Sequence, residues 1–117
     1  MNKLVLDTSF LIDIFRFGID TAELDDYELC TVKGVVKELK ELAKHKASEG
    51  KYARIALKWL EARQVNILTT GKARTDDMIV DVAADCVGTD DRELRKRLKA
   101  MGVKTIYVRA RKHLETG

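Results

Sequence analysis

Short apolar runs alternate with helical stripes along nearly the whole chain, and that alternation limits the fold more than any other feature. Lys3 to Leu6 reads as a first strand, Leu29 to Val32 as a second and Val65 to Leu68 as a third. Cys86-Val87 is a short fourth, and Val103 to Val108 a fifth. Between them, Phe10, Leu11, Ile14 and Phe15 have helical spacing, as do Val35, Val36, Leu39, Leu42 and Ala43. Tyr52, Ile55, Ala56, Trp59 and Leu60 form the cleanest amphipathic stripe, with its aromatic rings expected in the core. Met78, Ile79, Val82 and Ala83 define a fourth helix, and Leu94, Leu98 and Met101 a fifth that Gly102 stops. Such alternation builds βαβ units. The expectation is a three-layer α/β/α sandwich with a mainly parallel, roughly five-stranded, Rossmann-like sheet.

The length of 117 residues suits a single domain, 1–117, with a basic tail over about 109–117. The chain has no proline, so its turns rely on Gly, Asp, Thr and Ser. Ser48-Glu49-Gly50 is expected as a helix–helix turn, and Gly71-Lys72-Ala73-Arg74 as a loop. No apolar stretch approaches the roughly 20 residues that span a bilayer. No secretory signal pattern opens the chain, so the cytoplasm and no membrane partner are expected. Cys30 and Cys86 lack metal-ligand spacing and are expected as reduced packing residues.

Charge is unevenly placed. Residues 1–31 carry seven acidic side chains against Lys3 and Arg16, whereas residues 92–112 carry nine basic ones against Glu93 alone. This asymmetry fits a polyanionic partner, and equally a solvated helix face.

The chemistry lies in the acids. Asp7 ends the first strand, and Thr8 and Ser9 lead at once into a helix. The carboxylate is thereby placed on the C-terminal rim of the sheet, where ligands of open α/β sheets gather. Asp90 and Asp91 follow the fourth strand, Asp76 and Asp77 open the fourth helix, and Glu38 lies about one turn into the second. Each alone has an ordinary explanation as a cap, a dipole partner or half of a helix ion pair. Together they would repel unless something cancels the charge. Mg²⁺ or Mn²⁺ suits hard carboxylate oxygens and the hydrolysis of phosphodiesters. No Ser-His-Asp or Cys-His set and no glycine-rich phosphate loop competes for the chemistry.

Four segments, Leu6-Asp7-Thr8-Ser9, Val35-Val36-Lys37-Glu38-Leu39, Asp76-Asp77-Met78-Ile79 and Gly88-Thr89-Asp90-Asp91-Arg92-Glu93-Leu94, together resemble the PIN-domain nucleases. The closing stretch, Lys104 to Arg109 with Arg111-Lys112, is similar to the archaeal and eukaryotic branch tied to small-subunit ribosomal RNA processing. The resemblance implies an endoribonuclease that uses Mg²⁺ or Mn²⁺ held by Asp7, Glu38, Asp77 and Asp91. It prefers Asp77 to Asp76 because the family places Ile or Leu two residues after its aspartate, here Ile79. Asp90 competes with Asp91. Thr8, Ser9 and Thr89 are the supporting hydroxyls, and Arg92, Arg95, Arg97, Arg109, Arg111 and Lys112 are expected to hold the RNA backbone. Beyond RNA, the resemblance leaves a homodimer, a ribosome-assembly partner and an antitoxin open. It also leaves open a toxin ribonuclease and a non-catalytic RNA-binding module as alternative roles.

Overall fold

The computed structural model describes residues 2–83 and 85–117. Its strands are β1 (Asn2–Leu6), β2 (Tyr27–Val32), β3 (Asn66–Leu68), β4 (Cys86–Gly88), β5 (Lys104–Arg109) and β6 (His113–Thr116). Its α-helices are α1 (Thr8–Arg16), α2 (Lys33–Leu42), α3 (Ser48–Ala62), α4 (Thr75–Val82) and α5 (Arg92–Ala100). The strands form one sheet in the order β3-β2-β1-β4-β5-β6. All neighbours pair in parallel except β5 and β6, which form an antiparallel hairpin. The expected α/β sandwich is met, with one strand more than the sequence suggested.

That strand lies in the segment expected as a basic tail. Residues 113–116 pair with β5 through a turn whose Ala110 and Arg111 sit at φ +55° and +57°. Left-handed backbone without Gly or Asn gives no turn signal in the sequence. The expected turn at Ser48-Glu49-Gly50 is a second correction, because these residues form the first turn of α3. Gly50 serves close packing there. A Cβ on it would strike the His45 carbonyl of the α2–α3 connection.

Leu4, Val5 and Leu6 of the central strand are fully buried. Continuous apolar character of this kind is what a parallel strand covered on both faces requires. Phe10 of α1 packs directly against β4 at Gly88. A Cβ at Gly88 would stand 2.7 Å from its ring, so only glycine lets the helix down onto the sheet. Cys30 and Cys86 are buried free thiols, as expected, and burial pushes Cys86 up to about 11. Among the described residues, no helix is long and apolar enough to cross a membrane.

The strand order fixes where function can sit. From β1 the chain steps toward β2 and β3, while from β4 it steps the other way toward β5. Right-handed crossovers then carry the two halves' helices over opposite faces. By the general rule for doubly wound sheets, the ligand crevice belongs at the C-terminal ends of β1 and β4, the switch point of this strand order.

Candidate functional site

Asp7 and the Thr89-Asp90-Asp91 segment flank that crevice. The Asp7 amide donates to the Gly88 carbonyl at 2.9 Å, so β1 and β4 remain paired up to the rim. Asp7 is 5% exposed. Its Oδ1 accepts from the Thr8 amide at 2.8 Å and caps α1. Its Oδ2 accepts from Thr89 Oγ1 at 2.6 Å and from Ser9 Oγ at 3.2 Å. Burial raises the Asp7 pKa, the three hydrogen bonds pull it back, and the charge of Asp76 raises it again.

The same hydroxyls lace the two loops together. Thr89 Oγ1 accepts from the Asp91 amide at 3.1 Å, and Ser9 Oγ accepts from the Asp90 amide at 3.1 Å. The family resemblance implies Thr89 and Ser9 as supporting groups. Their second bonds to the rim amides could be seen only once β1 and β4 were paired.

Glu38 comes in from α2, and its Oε1 accepts from Thr8 Oγ1 at 2.6 Å. Asp91 caps α5, with Oδ1 accepting from the Glu93 and Leu94 amides at 2.9 and 3.2 Å. Asp76 opens α4 and faces these groups. Its pKa is raised by burial first, then by the charges of Asp91 and Glu38. The approach of α4 to α2 depends on Gly34, where a Cβ would collide with the Thr75 side chain and stand 3.1 Å from Met78 Sδ.

Asp77 departs from expectation. Its Oδ1 accepts from Arg97 Nη1 on α5 at 2.7 Å, and that hydrogen bond holds its pKa below the usual value. A step of one residue on a helix is a turn of about 100°, so the two adjacent aspartates project in different directions. The structure brings Asp76 toward Glu38 and Asp91, and leaves Asp77 on the outer flank. The same ion pair removes Arg97 from the expected set of free cations.

Asp90 turns the other way from Asp91. Its Oδ1 accepts from the Val108 amide of β5 at 2.8 Å, while Oδ2 is buried and has no hydrogen-bond partner among the described residues. Burial, together with the facing Asp13 carboxyl, pushes its pKa up to about 8.

The rim opens into two grooves. A cavity of about 1280 Å³ extends from Thr8, Glu38 and Asp76 toward Lys33, Lys37 and Arg74. A second, of about 750 Å³, lies between α5 and the β5–β6 hairpin. Of the other expected backbone contacts, Arg92, Arg95 and Arg109 line this second groove. Arg111 lies over the Phe17 ring at 5.7 Å, and Lys112 is exposed in the hairpin turn.

Among the described residues, no group of three or more His, Cys, Asp or Glu stands as a ready grip for an ion. Three of the four converging acids are tied to neighbours instead: Asp7 to hydroxyls, Glu38 to Thr8 and Asp91 to the α5 amides.

A doubly wound sheet with acids at its switch point defines a class, and the comparisons agree with it. The chain belongs to the PIN-like domain family, whose family profile matches residues 1–111. It is similar to Ribonuclease VapC4 of Methanocaldococcus jannaschii, with 25% identity across 98% of this chain and 96% of the relative. Its fold resembles that of the PIN domain endonuclease Utp24, with a TM-score of 0.74 and 24% identity over 97% of this chain and 90% of the other.

Proposed function

We propose that this protein is a divalent-metal-dependent endoribonuclease whose donor set is Asp7, Glu38, Asp76 and Asp91. The observation that carries the proposal is the convergence of these carboxylates on the β1–β4 crevice, where Asp7 feels the charge of Asp76, and Asp76 those of Asp91 and Glu38. Like charges gathered in a partly buried site favour a bound cation. The donors are carboxylate oxygens, which suit Mg²⁺ or Mn²⁺.

Bound there, either ion would neutralise charge on a phosphodiester and supply an activated water. The chain's own part is orientation. Thr89, Ser9 and the Thr8 amide hold Asp7 in one rotamer. The α5 cap fixes Asp91 through one oxygen. Gly34 sets the spacing between the helices that carry Glu38 and Asp76. RNA is the substrate that the relation to a ribonuclease over nearly its full length supports. The groove along Lys33, Lys37 and Arg74 offers cations to its backbone. Phosphate contacts of this kind position a strand without reading its sequence.

The test is cleavage of a labelled single-stranded RNA with Mn²⁺. The unsubstituted protein should cut it. Chelator and Asp7→Asn should each abolish cutting while circular dichroism shows the fold intact. RNA binding without turnover in Mg²⁺ and in Mn²⁺ would instead indicate a non-catalytic binding module.

A further inference from the structure

The groove between α5 and the β5–β6 hairpin lies on the opposite side of Asp90 from the acidic crevice. Five cations line it: Arg92, Arg95, Lys96, Lys99 and Arg109. Two acids also line it, Asp13 and Asp90, and the Asp90 Oδ1 is already engaged by the Val108 amide. Lys96 is paired loosely with Glu93 at 3.8 Å, and Arg109 closely with Glu115 at 2.8 Å. Arg92, Arg95 and Lys99 hold no ion pair among the described residues.

Arg95 is the unusual member. Its guanidinium lies 3.6 Å from the centroid of the Tyr107 ring. Its Nε is buried and lacks a hydrogen-bond partner among the described residues. The support beneath it is built in layers. Tyr107 donates its hydroxyl to Glu115 Oε2 at 3.2 Å, and the same oxygen accepts from Arg109 Nη1. The hairpin that carries these residues closes through two left-handed non-glycine residues, and its Arg111 rests on Phe17, just past the end of α1. Strained backbone of this kind persists where the surrounding structure holds it, and it gathers at functional sites. A stacked guanidinium has lost its rotamer freedom in advance, which suits it to fork a phosphate.

We propose that this groove is a phosphate subsite that grips the RNA strand beside the cleaved bond, with Arg95 as its fork and Tyr107 as the plate that holds the fork. The assignment rests on the nuclease reading for its ligand. Arg95 follows Asp91 by one helical turn, a rise of about 6 Å. A strand crossing the acids therefore reaches Arg95 with a neighbouring phosphate. Lys99, one further turn along α5, extends the same track.

The subsite is tested by binding, separately from cutting. Fluorescence anisotropy with a single-stranded RNA octamer is measured in the Asp7→Asn background, which keeps the RNA intact. Adding Arg95→Gln should weaken the octamer about tenfold and lower the slope of log affinity against log salt by about 0.7, the value of one phosphate contact on a single strand. Tyr107→Leu retains the Arg95 charge but frees the fork, and should weaken the octamer severalfold. A dinucleotide, too short to span both sites, should bind equally to all. Should Arg95→Gln fail to fold by circular dichroism, the exposed Lys99→Gln carries the same comparison. Unchanged affinity and salt slope, or no octamer binding at all, would overturn the subsite. Cleavage by the unsubstituted protein reports on the nuclease reading independently, so the two can fail separately.

Discussion

Two adjacent aspartates at the end of β4 show how much a residue's chemistry depends on its direction. Asp91 spends one oxygen on the α5 cap and faces Asp76, whereas Asp90 points into the fold toward Asp13 and Val108. Burial and the facing Asp13 raise Asp90 from 3.8 to about 8. The folded state therefore binds this proton more tightly than the unfolded chain does. Its stabilising contribution is complete below the unfolded value and is lost as pH rises through the folded one. Asp90→Asn keeps an acceptor for the Val108 amide and needs no proton. Discounted for the partial exposure of the residue, the variant should gain about 1–3 kcal/mol on the native protein at pH 9 relative to pH 4. Urea melts at the two pH values measure this gain, and a difference that does not change with pH would refute the assignment.

Helix phase sets which aspartate of α4 faces Glu38 and Asp91 at the next scale. The first turn of α4 carries two aspartates, and the resemblance favoured the second because Ile79 follows it at the expected distance. In the structure Arg97 of α5 captures Asp77, and Asp76 faces the crevice. Asp76→Asn is accordingly expected to cut ribonuclease turnover by about a hundredfold or more, a loss in keeping with removal of a metal-site group. Asp77→Asn should leave turnover near the native level. Initial rates at saturating Mn²⁺ distinguish the two, and the reverse ranking would restore Asp77. The hairpin illustrates the same limit of sequence reading. Four residues, His113–Thr116, are too few to display strand periodicity, and Ala110-Arg111 carries no glycine to mark the turn.

Across the whole molecule, the acids occupy the centre of the strand order, and cationic grooves lie to either side, one by β3 and one by β5 and β6. A polyanion can lie across the rim only if the central negative charge is cancelled. Metal binding should therefore appear as stability. At a concentration a hundredfold above the dissociation constant, an ion bound only by the folded state adds about 2.7 kcal/mol. For a domain of this size that is a rise in Tm of roughly ten degrees. Thermal melts of the native protein with Mn²⁺ and with chelator should differ accordingly. Asp7→Asn should abolish the difference, and an equal shift in that variant would place the ion elsewhere.

Local pattern by itself determined the βαβ alternation, the parallel sheet and the placing of Asp7, Glu38 and the two aspartate pairs at its C-terminal rim. Strand ends and helix starts follow from periodicities of two and of 3.6 residues, which the chain displays within a few residues of each position. Only the tertiary structure decided which member of each aspartate pair faces the crevice. That depends on partners distant in sequence, Arg97 for Asp77 and Val108 for Asp90, just as Thr89 is for Asp7. The basic segment is divided in the same way. Its charge was evident in the sequence, but the stacking of Arg95 on Tyr107 exists only because α5 packs against β5. Composition sets how much charge a surface carries, and packing sets which charges are already used.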